Sequence, residues 1–157
     1  MKTKRLTLYS LVTALYVLLS LGFAELSFGP FQFRVAELLN LLAFYHPGFV
    51  LPLSLGCAIS NLFSPFGMVD VVVGTLHTFI SLKAMGYVKK DWVAALFPGL
   101  FAFIIGGEIT LLSQVKLSFI LITGQIMVSE FILGLISVPL YRGMLKNLSL
   151  KDYLKEL

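Results

Sequence analysis

From Leu38 to Val69 the chain carries no Asp, Glu, Lys or Arg in 32 consecutive residues. Few folded environments accept such a run. In a soluble domain the core grows too slowly relative to the surface to hide it. A lipid bilayer accepts it readily, because a helix of about 20 apolar residues spans the hydrocarbon core. Leu6 to Ala24 is a second uncharged run, 19 residues long. Composition agrees: 58% of residues are hydrophobic and 13% charged, where ordinary globular domains have about 45–50% and about 25%. The runs do not alternate with period two, so a transmembrane barrel is excluded and the chain reads as an all-α membrane protein. Leu6–Ala24 exceeds a typical signal-peptide core and lacks a clear small-residue cleavage site, so it reads as a span.

Charge, proline and glycine divide the apolar sequence into spans near Leu6–Ala24, Phe33–Tyr45, Phe49–Leu62, Met68–Met85, Trp92–Leu112 and Leu117–Met144. The second and third are short and are separated by the turn signal His46-Pro47-Gly48, so one broken span, giving five crossings, is the alternative. Cytoplasmic loops of membrane proteins collect Lys and Arg, which decides between the two. With six spans and a cytoplasmic N-terminus, Lys2, Lys4, Arg5, Lys83, Lys89, Lys90, Arg142, Lys146, Lys151 and Lys155 fall inside, and only Arg34 and Lys116 outside. Five spans would leave eight outside. The expectation is therefore one domain over residues 1–157, a compact bundle of six transmembrane helices with both termini cytoplasmic. The net charge of +4 then reports topology and not nucleic-acid binding. The tail from Lys146 to Leu157 mixes apolar and basic faces, as an interfacial anchor does.

Ionisable groups at membrane depth are costly and tend to mark sites. In this topology Glu37, Asn61, Asp70, Glu108, Gln125 and Glu130 all fall in the outer half of the membrane, from five different spans. The inner half has basic rims and little polar interior, which suggests a pocket filled from outside. Asp70, Gly74, His77 and Ser81 share one helical face; a polar packing seam is the structural alternative. Arg34 and Glu37 are three apart and placed to pair with each other, which would fix the first loop. Glu108 follows Gly106-Gly107, and its structural alternative is an N–H or hydroxyl partner on the sixth span. His46 reads as a turn residue. Acids outnumber bases in the outer half, so an anion would be repelled and a cation or a donor-rich ring would suit. Phe31, Phe33, Phe63 and Phe66 are available as apolar walls for a flat ring.

Several chemistries are missing. No GxxxxGK[ST] phosphate loop occurs, so the chain has no P-loop ATP site of its own. There is no Ser/His/Asp set or nucleophile elbow. Two histidines and the lone Cys57 give no zinc spacing. The chain is not expected to be an enzyme, nor to carry a cofactor or metal.

FGPFQFRVAELL (Phe28 to Leu39) followed by LGCAISNLFSPFGMVDVVVGTL (Leu55 to Leu76) resembles the QueT family, over essentially the whole chain. That family comprises substrate-binding S-components of energy-coupling factor (ECF) transporters, assigned to queuosine precursors. The resemblance implies a six-helix bundle in a bacterial plasma membrane. It would bind substrate at its outer side through the loops after helices 1 and 3 and through helices 4 to 6. Arg34, Glu37, Asn61, Asp70, Glu108, Gln125 and Glu130 are the candidate substrate-binding residues. It also implies a transmembrane coupling protein and two cytoplasmic ATPases as partners. S-components often dock the coupling protein through Ala-x-x-x-Ala on helix 1; here the nearest match is Ser10-x-x-x-Ala14. The alternatives are an S-component for another vitamin-like molecule, a stand-alone ion-coupled transporter working through Glu108 and Glu130, and a ligand-free assembly subunit.

Overall fold

The computed structural model describes residues 2–29, 32–113 and 118–146. Helix α1 (Lys2–Gly22) breaks at Phe23 before the short α2 (Ala24–Ser27). A 3₁₀ turn (Val35–Leu39) leads into α3 (Leu42–Tyr45), and a second (Pro47–Phe49) into α4 (Val50–Asn61). Then follow α5 (Met68–Met85), the short α6 (Asp91–Ala94) and α7 (Phe97–Leu100), α8 (Phe103–Leu112) and the long α9 (Phe119–Met144). No strand occurs among the described residues.

Four segments are long and apolar enough to cross a membrane: Thr3–Gly22, Met68–Met85, Asp91–Leu112 and Phe119–Met144. The other two expected spans are shorter, Val35–Tyr45 and Pro47–Asn61. At about 1.5 Å per residue in an α-helix and 2.0 Å in a 3₁₀ turn, each falls short of a 30 Å hydrocarbon core. Leu117 and the tail from residue 147 onward lie outside the described residues.

Named contacts give the direction of each segment. Tyr9 packs its ring against Phe49 at 5.4 Å, and the Thr13 hydroxyl donates to the Pro52 carbonyl at 2.9 Å, so α1 and α4 run parallel. Asn61 meets Asp70 and Thr78 meets Cys57, so α4 and α5 run antiparallel. Helix α9 runs back along α6–α8: Thr123 lies against Gly106, Phe131 against Gly99 and Gly134 against Ala95. A side chain at Gly134 would collide with the Ala95 carbonyl, so glycine here sets how closely α9 approaches. At one end of the bundle the Tyr45 hydroxyl donates to Asp91 at 3.2 Å. Arg142 forks onto the same carboxylate at 2.7 and 2.6 Å. The start of α1, the His46 turn and the ends of α5 and α9 therefore share this end, with most of the basic residues. The His46 ring accepts the Gly48 N–H at 3.1 Å, as its reading as a turn residue requires, and burial followed by the nearby Arg5 lowers its pKa.

Polarity is distributed the opposite way from a water-soluble protein. Large apolar side chains face outward, among them Leu18 at 69% and Leu51 at 72% exposed. Arg34, Glu37, Asp70, Glu108 and Glu130 are all buried. Water would penalise such a surface; lipid does not.

Candidate functional site

Helices α4 and α5 build the floor of the polar interior. Cys57 and Asn61 are four apart and therefore share a face of α4. The Asn61 amide donates to the Asp70 carbonyl at 2.9 Å and approaches Cys57 Sγ at 3.5 Å. Thr78 donates to the same sulfur at 3.3 Å. The Asn61 amide occupies the place where any Cβ at residue 74 would sit, so Gly74 is what admits it. Asp70, Gly74, His77 and Ser81 all face inward, as their spacing indicates. His77 is satisfied by the Pro98 carbonyl at 3.0 Å; the Ser81 hydroxyl has no partner among the described residues.

Arg34 lies over this floor, and here the sequence reading is corrected. Arg34 pairs with Asp70, Nη2 to Oδ2 at 3.6 Å, and not with Glu37. A three-residue spacing brings side chains together only on a helix. Arg34 precedes the 3₁₀ turn with extended backbone, φ −84° and ψ 95°, so its guanidinium leaves Glu37 behind. It reaches Cys57 Sγ at 3.7 Å, and the Phe28 ring lies 5.6 Å from it. Glu37 instead accepts from Asn40 at 2.7 Å and from the Tyr16 hydroxyl at 3.4 Å, and lies within hydrogen-bonding reach of Glu130.

The four buried carboxyls thus divide into three groups. Asp70 has the arginine. Glu37 and Glu130 adjoin each other around a small void of about 10 Å³, bordered also by Asn40 and Ser137, room for a single water. Glu108 stands apart: it is buried, and among the described residues neither of its oxygens has a hydrogen-bond partner; Arg34 and Asp70 act on it electrostatically. The structural alternative, a hydroxyl or N–H partner on the sixth span, is not among the described contacts. Such a carboxylate costs several kcal/mol of desolvation unless something neutralises or hydrogen-bonds it.

A cavity of about 560 Å³ opens at the end of the bundle opposite the Asp91–Arg142 clamp. Phe28, Gln32, Phe66, Ile109, Ser113 and Gln125 contribute to its lining, bringing together the loop before the first 3₁₀ turn, the α4–α5 loop, α8 and α9. Ile109 follows Glu108 directly, and Phe28 links the cavity wall to Arg34. Gln125 borders the cavity. Of the proposed aromatic walls Phe66 serves; Phe63 is 65% exposed, and Phe31 lies outside the described residues. Among the described residues no cluster suited to a metal ion occurs.

Four participants escaped the sequence reading. Tyr16 is fully buried on a mostly exposed helix, between the buried Val12 and Ser20 one turn to either side. Cys57 and Asn40 were legible as helical neighbours of Asn61 and Glu37. Gln32 adopts φ 49°, a left-handed conformation that costs a non-glycine residue about 1–3 kcal/mol and concentrates at functional sites. Glutamine has no sequence signature for it.

On the flank of the bundle, Ser10 and Ala14 are exposed. They line an open apolar groove of about 850 Å³ with Leu6, Val17, Leu51 and Leu55.

A family model described as QueT transporter matches residues 6–146. Among curated proteins, the "Queuosine precursor transporter QueT" of Lactococcus lactis subsp. cremoris (strain MG1363) is 43% identical over 84 residues. That stretch is 52% of this chain and 49% of the relative, so the match spans about half the relative's length. No solved structure matches.

Proposed function

The chain belongs to the QueT transporter family, and on that premise we propose that it is the substrate-binding subunit of an ECF importer, capturing a queuosine precursor at the outer face of the cell membrane. The observation that carries this reading is the buried Glu108, without a hydrogen-bond partner among the described residues, on the helix α8 whose Ile109 and Ser113 line a cavity of ligand size. Four buried carboxyls face one guanidinium, which disfavours an anion and suits a molecule that offers donors. A deazaguanine presents two adjacent donors, complementary to one carboxylate, and its aminomethyl form adds a cation. The cavity volume of about 560 Å³ lies within the range usual for small-molecule sites.

In this reading the bundle crosses the membrane six times. The two shorter segments are shielded by their neighbours, and the basic end faces the cytoplasm. The alternating directions of the segments and the ten-to-two distribution of Lys and Arg support it. A cysteine placed near Lys116 should label from outside in intact cells, and one near Lys89 should not. The reverse pattern, or labelling at both, contradicts the topology.

The transmembrane coupling protein docks on the groove around Ser10 and Ala14, and two ATPases supply the energy. A stand-alone ion-coupled transporter is the second reading, favoured by the buried Glu37–Glu130 pair. Vesicles separate the two: with this chain alone the deazaguanine should bind without accumulating, and accumulation should require the coupling module and ATP. Accumulation by the chain alone refutes the partner-dependent mechanism.

Glu108→Gln tests the ligand contact. Loss of a hydrogen bond to a charged group, about 1.5–3 kcal/mol, should weaken binding about tenfold to a hundredfold. The melting temperature should hold or rise, because the uncompensated charge is gone. Unchanged affinity removes Glu108 from the site.

A further inference from the structure

We propose that Gln32 is a specificity-determining residue whose carboxamide reads a donor–acceptor edge of the bound heterocycle, so that the free base is preferred to forms substituted on its pyrrole nitrogen. This rests on the binding-subunit reading above and extends it to a residue and a ligand edge.

Three observations converge on Gln32. It is only 5% exposed, yet it borders the outer cavity. Its backbone is committed in both directions: its N–H donates to the Gly29 carbonyl at 3.0 Å, and its carbonyl accepts the Arg34 N–H at 3.0 Å. No hydrogen bond of its side-chain amide occurs among the described residues, and the residue lines the cavity. The left-handed backbone points the same way. Glycine would adopt φ 49° without strain, so a glutamine is held here at a conformational cost, and its side chain is what glycine would not supply.

The chemistry of a carboxamide selects the edge. A carboxylate offers acceptors only and suits two neighbouring donors, which in a deazaguanine are the lactam N–H and the exocyclic amine. A carboxamide offers one donor beside one acceptor. Its complement in the same molecule is the six-membered-ring nitrogen, an acceptor, next to the pyrrole N–H, a donor. A ribose or methyl group on the pyrrole nitrogen removes that donor and adds bulk where the amide would stand. A site built to pair a ligand N–H discriminates strongly against an analogue without it, because its own polar group is then stranded.

The test uses the purified full-length chain, with a deazaguanine and its pyrrole-N-methyl derivative as probes. Dissociation constants and melting temperatures are measured for wild type, Gln32→Gly and Gln32→Asn. Wild type should prefer the unmethylated probe by about tenfold or more. Gln32→Gly, relieved of the left-handed strain, should melt at the same temperature or higher, yet bind that probe about tenfold more weakly and lose the preference. Gln32→Asn tolerates the backbone but withdraws the amide by one methylene, and should fall the same way. Wild-type affinity and preference retained in both variants overturn the role of Gln32 while leaving the binding reading intact. Failure of wild type to bind either probe overturns both.

Discussion

Arg34→Met should destabilise the chain by about 3–5 kcal/mol, the cost of removing one partner from a buried charge pair. Arg34 is the sole guanidinium buried among the described residues, and it faces Asp70 at 3.6 Å. Without it Asp70 is stranded, and Glu37, Glu108 and Glu130 lose the cation that offsets them. Methionine preserves much of the bulk, so the loss reports charge and not a cavity. Thermal unfolding in detergent is the measurement, with Asp70→Asn added as a second step. Removing the stranded carboxylate should recover a substantial part of the lost stability, because contacting groups couple. If Arg34→Met melts like wild type, the pair does not hold the α4–α5 floor to the first loop.

Ala14→Phe should abolish uptake and leave ligand affinity unchanged. Ala14 lies on the flank, exposed, in the groove bordered by Leu51 and Leu55; the ligand cavity is lined by other residues, at the far end of the bundle from the start of α1. Small residues let helices approach closely, and a phenyl ring fills the space a partner helix needs. The comparison is transport in vesicles carrying the coupling module against binding by the purified chain. Parallel loss of both places Ala14 in the fold and not in docking. Undiminished uptake removes the groove from the mechanism.

Much of the architecture was legible because hydrophobicity and charge act over whole segments. Met68–Met85 coincides with α5, bounded by Gly67 on one side and Gly86 on the other. Span five kept its extent but is broken into α6, α7 and α8, around Pro98, which lacks the N–H a continuous helix requires. That Asp70, Glu37, Glu108 and Glu130 are buried was readable from their place within apolar segments. Their pairing was not. Arg34 and Glu37 look like helical neighbours, but the backbone at Arg34 is extended, and that one dihedral pair redirects the guanidinium to Asp70. Gln32 was invisible for a related reason: a single left-handed residue is fixed by loop closure, which no pattern of side chains records. The second and third segments were visible as short runs, whose alternating direction the Lys and Arg distribution already required.

The central claim is that the outer cavity captures a queuosine precursor, and titration calorimetry on the purified wild-type chain addresses it most directly. A panel of deazaguanines, including the aminomethyl form, would be titrated beside unrelated vitamins and organic anions. The account predicts saturable binding of a deazaguanine with one ligand per chain, weakened about tenfold to a hundredfold by Glu108→Gln, and no binding of the anions. Binding of an anionic vitamin with no response to any deazaguanine would contradict it.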